Sequence, residues 1–350
     1  MRLYLAPMAV LLLAGCTKEA GPQRLDFVNT TRYTSSNRTG LSPSDTLVSR
    51  VYAENTDPNG PKLGRLVVTV RYQPRRNPFV YPTPISAINR DSIDKSSENF
   101  VYLDSALVDN QGVYPNNFLL TNIFGVRTTT GSERWQYDLY NSNGGSPTAS
   151  RAVNLSMRRS DSTAVYNEYL LKLVIPAVGV DAAVRAKSTR RFLHLRAGLA
   201  LPAYTVLKSG APGDAQATAQ RLTDLVILPD GLTLISPKLF TNNTNIWPMA
   251  NRRATLIYRA NAITVSTFTS QLTAADIRTA YNNASGAANG ATGQTVGPVR
   301  ANEVYAFRTE EVMGTTPQYR YGLLLVVSVP TTTTTATTAG LQLQVRMPKE

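Results

Sequence analysis

A single cysteine, Cys16, a single histidine, His194, and 23 acidic side chains are what this 350-residue chain carries for nucleophilic, acid–base or metal chemistry. Cys16 has no second thiol to pair with, so it forms no disulfide within the chain. His194 alternates with Phe192 and Arg196 on one face of an expected strand, the pattern of a surface or edge histidine and not of a general base. No Gly-x-Ser-x-Gly elbow offers an activated serine. No His/Cys cluster can be assembled for a transition metal. Gly125, Gly131, Gly144 and Gly145 mark strand ends and turns, not a loop that cradles phosphate. Two carboxylates would suffice for a glycosidase, but the acidic residues fall mostly in turns and tethers. The expectation is a protein that is not an enzyme and uses no cofactor or metal.

Aromatic side chains supply the other chemistry, that of stacking. Residues 77–84 form a proline-rich excursion in which Pro78, Pro82 and Pro84 forbid a central strand. Phe79 and Tyr81 ride on that stiff loop and are the candidate ligand-binding residues, placed as a sugar-stacking platform would need them. The alternative is a loop that packs both rings back onto its own domain. Trp135, Trp247, Tyr319 and Tyr321 could extend such a platform, or fill the core from alternate strand positions.

Ahead of Cys16 stand Arg2 and then an apolar run, residues 3–13, too short to span a bilayer and followed by small residues. That is the form of a secretory signal. The ending Leu13-Ala14-Gly15-Cys16 resembles the lipobox of bacterial lipoproteins. The resemblance implies that the Cys16 thiol takes a diacylglycerol, that residues 1–15 are cut away, and that the new amino terminus is acylated. Residues 16–24 then serve as a polar tether. Within it, Lys18-Glu19 resembles the export signal that sends lipoproteins of Bacteroidota to the outer face of the outer membrane, without the second acidic residue, since Ala20 follows.

Behind the tether, short apolar runs alternate with turn residues, which favours a mainly β fold of two β-sandwich-like domains. In residues 25–160, strands are expected at 47–52, 66–72, 99–108, 118–128, 134–140 and 153–158. The second of these reads as covered on both faces. Asp57-Pro58-Asn59-Gly60-Pro61 makes a turn; it lacks the bidentate Glu of a calcium loop. The alternating run 135–140 followed by Asn143-Gly144-Gly145 resembles the penultimate-strand turn of immunoglobulin-like domains, which implies an immunoglobulin-like sandwich here. There is no Cys…Trp…Cys core to refine that reading.

The chain restarts after residues 159–161, and residues 161–350 are expected to form a second β-rich domain. Its strands fall at 169–175, from 192 onward, on either side of Pro229-Asp230-Gly231, and at 304–309, 319–329 and 341–347. Residues 176–188 read as a flexible loop. One short α-helix is expected at 272–281, with Thr273 as N-cap, Asp276 closing a capping box, and Ile277, Ala280 and Tyr281 on one face. Residues 282–297 and the threonine run 331–338 read as loops. A series of short matches is similar to a domain common at the C-termini of Bacteroidota surface lipoproteins. It comprises Arg196-Ala197-Gly198, Asp224-Leu225-Val226, Leu234-Ile235-Ser236-Pro237, Trp247, Leu272-Thr273-Ala274-Ala275-Asp276, residues 304–309 and Tyr321-Gly322-Leu323. That likeness, over roughly residues 165–350, implies localisation and no activity.

The formal net charge is +13. A nucleic-acid binder would concentrate that excess in one stripe with interleaved aromatics. Here Arg75-Arg76, Arg158-Arg159, Arg190-Arg191 and Arg252-Arg253 lie far apart, so nucleic acid is not expected; attraction to anionic glycan or lipopolysaccharide is more in keeping, and a biased base composition in the gene is the plainer and favoured explanation of the charge. Asp45-Thr46-Leu47, Asp91-Ser92-Ile93, Asp104-Ser105-Ala106 and Asp161-Ser162-Thr163 resemble the O-glycosylation acceptor motif of Bacteroidota envelope proteins. Together these readings lead to the expectation of a lipid-anchored outer-membrane protein, exposed at the cell surface. It would act as a non-catalytic binding module for glycans or within a nutrient-uptake complex, with the membrane and outer-membrane proteins as partners. The alternative is a structural or adhesive envelope lipoprotein with no small-molecule ligand.

Overall fold

The computed structural model describes residues 23–41, 45–74, 98–108, 111–126, 131–157, 166–176, 182–208, 213–241, 244–271, 273–288, 292–313, 316–330 and 338–348. The fold is mainly β, as the alternating pattern requires. In the first half the strands are β1 (Gln23–Phe27), β2 (Arg38–Leu41), β3 (Thr46–Asn55), β4 (Leu63–Pro74), β5 (Glu98–Ala106), β6 (Asn117–Gly125), β7 (Gly131–Asn141) and β8 (Ala149–Met157). One sheet runs β1-β3-β6 and the other β2-β8-β7-β4-β5. All pairs are antiparallel except β2, which runs parallel to β8. The last six strands fall where alternation places them. β2 has three exposed residues of four, so no apolar period announces it.

The two sheets close on aromatic residues. Phe27 meets the Tyr137 ring edge-on at 5.4 Å, and Phe124 stacks on Trp135 at 4.4 Å. At the centre, the Tyr137 hydroxyl lies 2.5 Å from Ser49 Oγ and accepts from Asn122 Nδ2 at 3.1 Å. β7 is thereby pinned to β3 and β6 of the facing sheet. A buried polar pair is tolerated because each member has a partner.

The second half contributes β9 (Tyr166–Lys172), β10 (Ile175–Pro176), β11 (Arg190–His194), β12 (Leu199–Pro202), β13 (Leu225–Ile227), β14 (Leu234–Ile235), β15 (Thr255–Arg259), β16 (Thr295–Val296), β17 (Val304–Met313), β18 (Thr316–Ser328), β19 (Thr338–Ala339) and β20 (Gln342–Pro348). They form two five-stranded sheets, β12-β11-β13-β14-β16 and β15-β17-β18-β20-β9, with β10 and β19 as a separate pair. Leu193, Leu195, Leu225 and Ile227 from the first sheet pack against Phe307, Leu324, Val326 and Val345 from the second. Gly322 makes that packing possible. A Cβ there would come within 2.1 Å of the Phe307 ring.

Five short α-helices appear among the described residues where one was expected: α1 (Ala182–Ser188), α2 (Ala203–Leu207), α3 (Asp214–Leu222), α4 (Val265–Phe268) and α5 (Ala274–Ala287). Residues 182–188 are helical where a loop is expected, since Ala182, Ala183 and Ala186 have the highest intrinsic helix propensity. The predicted capping box opens α5: Thr273 Oγ1 accepts from the Asp276 amide, and the Asp276 carboxylate accepts from Thr273 N. The helix runs six residues past Tyr281 because Ala284 is buried against the sheet, which outweighs the poor propensities of Asn282, Asn283 and Gly286. Ile277, Ala280, Tyr281 and Ala284 cover Val304, Ala306, Leu323 and Leu325 on the outer face of the second sheet.

Each sheet draws its strands from one side of residues 158–165, which lie outside the described residues. The buried side chains nevertheless form a continuous cluster from Leu25 and Trp135 through to Phe192, Leu201, Val206 and Trp247. At this seam the buried Arg190 donates from Nε to the Tyr102 hydroxyl at 2.7 Å and from Nη2 to Asn122 Oδ1 at 3.3 Å. Tyr102 Oη in turn donates to Ala200 O at 3.1 Å, and Thr205 Oγ1 to Tyr102 O at 2.7 Å.

Candidate functional site

Of the residues singled out by chemistry, Cys16, Phe79 and Tyr81 lie outside the described residues. His194 is buried, against the expectation of a surface or edge position. Its strand β11 lies between β12 and β13, and Phe192, Leu193 and Leu195 beside it are fully buried. Both faces of that strand are therefore covered, which alternation alone does not reveal. Among the described residues, no group of three or more His, Cys, Asp or Glu is placed to hold a metal ion.

The four aromatics that could have extended a platform divide two and two. Trp135 is 1% exposed and donates Nε1–H to Glu133 Oε2 at 2.9 Å. Trp247 is fully buried between Phe192 and Phe240, and donates to Asn251 O at 3.1 Å. Both are core. Tyr319, by contrast, is 49% exposed, and Tyr321 is half-buried beside it.

Their placement follows from strand register. β17 pairs with β18 so that Arg308 faces Tyr321 and Glu310 faces Tyr319. Residues two apart share a face, so Tyr319, Tyr321, Leu323 and Leu325 line one side of β18, with Glu310, Arg308, Ala306 and Val304 beside them on β17. Helix α5 covers the apolar end of this surface, leaving Tyr319 exposed at the far end, with Arg308 and Glu310 partly buried beside it. Arg308 Cζ sits 4.4 Å from the centre of the Tyr319 ring and 5.8 Å from that of Tyr281. Arg278, exposed on α5, sits 5.6 Å from the Tyr321 ring. Tyr321 meets Tyr281 at 5.2 Å, and Tyr281 meets Tyr258 at 5.8 Å, both edge-on.

The result is a ladder of four tyrosines and two arginines that passes from the core under α5 to solvent at Tyr319. Burial raises the Tyr281 hydroxyl pKa, with Arg308 pulling the other way, so the phenol stays neutral at ordinary pH. Neither Arg308 nor Arg278 has a carboxylate partner among the described residues; ring faces hold them instead. Such contacts fix a guanidinium without neutralising it, and each is worth roughly 0.5–1 kcal/mol at an exposed site. The strip can therefore stack on an apolar ring face and pair with an anion at the same place. Tyr319 and Tyr321 were legible in the sequence, but the two arginines were not. Arg308 needs the β17–β18 register and Arg278 needs the docking of α5.

A second concavity, of about 370 Å³, lies between β4–β5 and α2–α3. Arg65 and Asp104 close one wall as a bidentate pair, both contacts at 2.6 Å. Lys208 and Asp214 add one charge of each sign. Gln216 donates to the carbonyls of Val206 and Lys208, and Thr205 to that of Tyr102. Thr205 thus ties the helical segment to the sandwich, while Gln216 joins α3 to α2 and Arg65–Asp104 joins β4 to β5. Of the four glycosylation-like motifs, Thr46 is exposed at the start of β3 while Ser105 is fully buried. Residues 91–93 and 161–163 lie outside the described residues.

No protein-family model and no curated protein matches the chain. Among solved structures, the chain is similar to a DUF4466 family protein from Parabacteroides merdae. The two are 10% identical, with 94% of this chain and 99% of that chain covered, at a TM-score of 0.28, a value that does not establish a shared fold.

Proposed function

We propose that the protein is a lipid-anchored component of the cell envelope, held at the outer membrane through Cys16 and exposed at the surface. There it acts as a non-catalytic binding module for glycans. The observation that carries the binding part is Tyr319, a half-exposed ring that a stacked arginine holds at the open end of a partly buried tyrosine ladder. Sugars offer apolar ring faces to such a residue, and a ring already fixed by its neighbours loses little entropy on binding. The rest of the chemistry agrees: the lone cysteine ends a lipobox-like leader, and buried His194 offers no accessible base. The strand order β1-β3-β6 against β2-β8-β7-β4-β5 supports an immunoglobulin-like reading of the first half, since variable-type domains likewise add strands beside their central hairpin.

Two measurements test this. Mass spectrometry of the protein from membranes should find a diacylated, N-acylated Cys16 as the first residue; an unmodified Cys16 or cleavage elsewhere removes the anchor. The detergent-solubilised full chain should bind on a glycan array and lose that signal on Tyr319→Ala. A blank array with surface attachment retained would favour a structural or adhesive envelope protein instead.

A further inference from the structure

We infer that the Tyr319–Arg308–Arg278 strip takes an acidic polysaccharide, one whose sugar rings carry carboxylates. This inference rests on the glycan-binding reading of the same surface. Arg308 and Arg278 lie over the rings of Tyr319, Tyr281 and Tyr321, and among the described residues no hydrogen bond engages either guanidinium. Among the described residues neither is in an ion pair, unlike Arg65, Arg253 and Arg346, which meet Asp104, Asp224 and Glu168. A planar guanidinium with free donors matches a carboxylate in two parallel hydrogen bonds.

The second element is spacing. Tyr319 and Tyr321 are two residues apart on one strand, roughly 7 Å along its length. Arg308 lies directly across from Tyr321, and Arg278 approaches Tyr321 from the helix above. Each of the two rings thus has a guanidinium beside it, which suits a chain of charged rings better than a single small anion. Glu310, opposite Tyr319, is the one carboxylate of described β17 and β18 side chains on this face, and it bounds the strip at its open end. Two cations against one anion leave a positive surface on a chain whose formal charge is +13. Such a surface also raises the encounter rate with polyanions.

The test titrates the detergent-solubilised full chain with polygalacturonate, its fully methyl-esterified form, a sulfated polysaccharide, and vesicles containing anionic lipid. Polygalacturonate should bind, and esterification or 0.5 M salt should weaken it by about tenfold or more. Arg308→Gln and Arg278→Gln should each cost about tenfold, and Tyr319→Ala about fivefold. Arg308→Lys should recover part of the loss and Tyr319→Phe nearly all of it. Glu310→Gln should tighten binding about twofold, a gain that a misfolded variant cannot imitate. Equal binding of acid and ester would overturn the acidic class while leaving a glycan-binding surface. A preference for the sulfated polymer or for vesicles would overturn the carboxylate assignment. No binding to any glycan would remove both this inference and the reading beneath it.

Discussion

Tyr137 places one hydroxyl between two sheets, and its environment makes a measurable prediction. Full burial pushes the phenol up to about 12, against the bonds from Ser49 and Asn122, which favour the ionised form. Unfolded, it ionises near 10.0. Between those values the unfolded chain has released a proton that the folded chain keeps. Stability therefore falls as pH rises through this window, by about 1.4 kcal/mol per unit, and is unaffected below it. Tyr137→Phe should destabilise by about 1–2 kcal/mol at neutral pH, because Ser49 and Asn122 lose their partner. Its deficit should shrink between pH 10 and 12, in denaturant titrations at pH 7 and pH 11. An unchanged difference would mean that the hydroxyl reaches water. Little of this was legible beforehand. Alternation puts Trp135 and Tyr137 on one face without saying which face is buried, so core and platform looked alike. Only the stacked Phe124 and the bond to Glu133 decide it for Trp135.

At the level of elements, the β17–β18 hairpin does two jobs with its two faces. Inward it presents Phe307 and Leu324 to the core; outward it presents Arg308, Tyr319 and Tyr321. Gly322 lets the Phe307 ring cross directly over the backbone of β18, at 2.1 Å from where a Cβ would stand. Gly322→Ala should cost about 1–3 kcal/mol through displacement of that ring, and should lower the melting temperature. Adding Phe307→Leu, which vacates the space, should return part of the loss. A Gly322→Ala protein as stable as the parent would show that the ring has room to move. The strands and the capping box of α5 were readable because period-two alternation and Thr273-x-x-Asp276 are local signals. The arginine positions were not, since register and helix docking join residues far apart in sequence. The extent of α5 was misjudged for a related reason: burial of Ala284 is a tertiary fact.

On the scale of the whole molecule, the two halves keep separate sheets but share a core. Arg190 is buried there, engaged by Tyr102 and Asn122 from the first half and by the carbonyls of Lys187 and Thr189 from its own. Cutting the chain at the expected boundary would expose Leu201, Val206 and Trp135 and strand a buried guanidinium, a cost of several kcal/mol. Residues 25–160 and 161–350 expressed apart should therefore unfold at lower temperature than the whole chain, and mixing them should restore much of the difference. Two pieces that each melt as the parent does would show the seam to be incidental. Where a ligand sits is read directly by hydrogen exchange of the full chain with and without polygalacturonate. The prediction is slowed exchange confined to residues 308–321 and the first two turns of α5. Protection around Arg65 and Lys208 instead, or none anywhere, would contradict it.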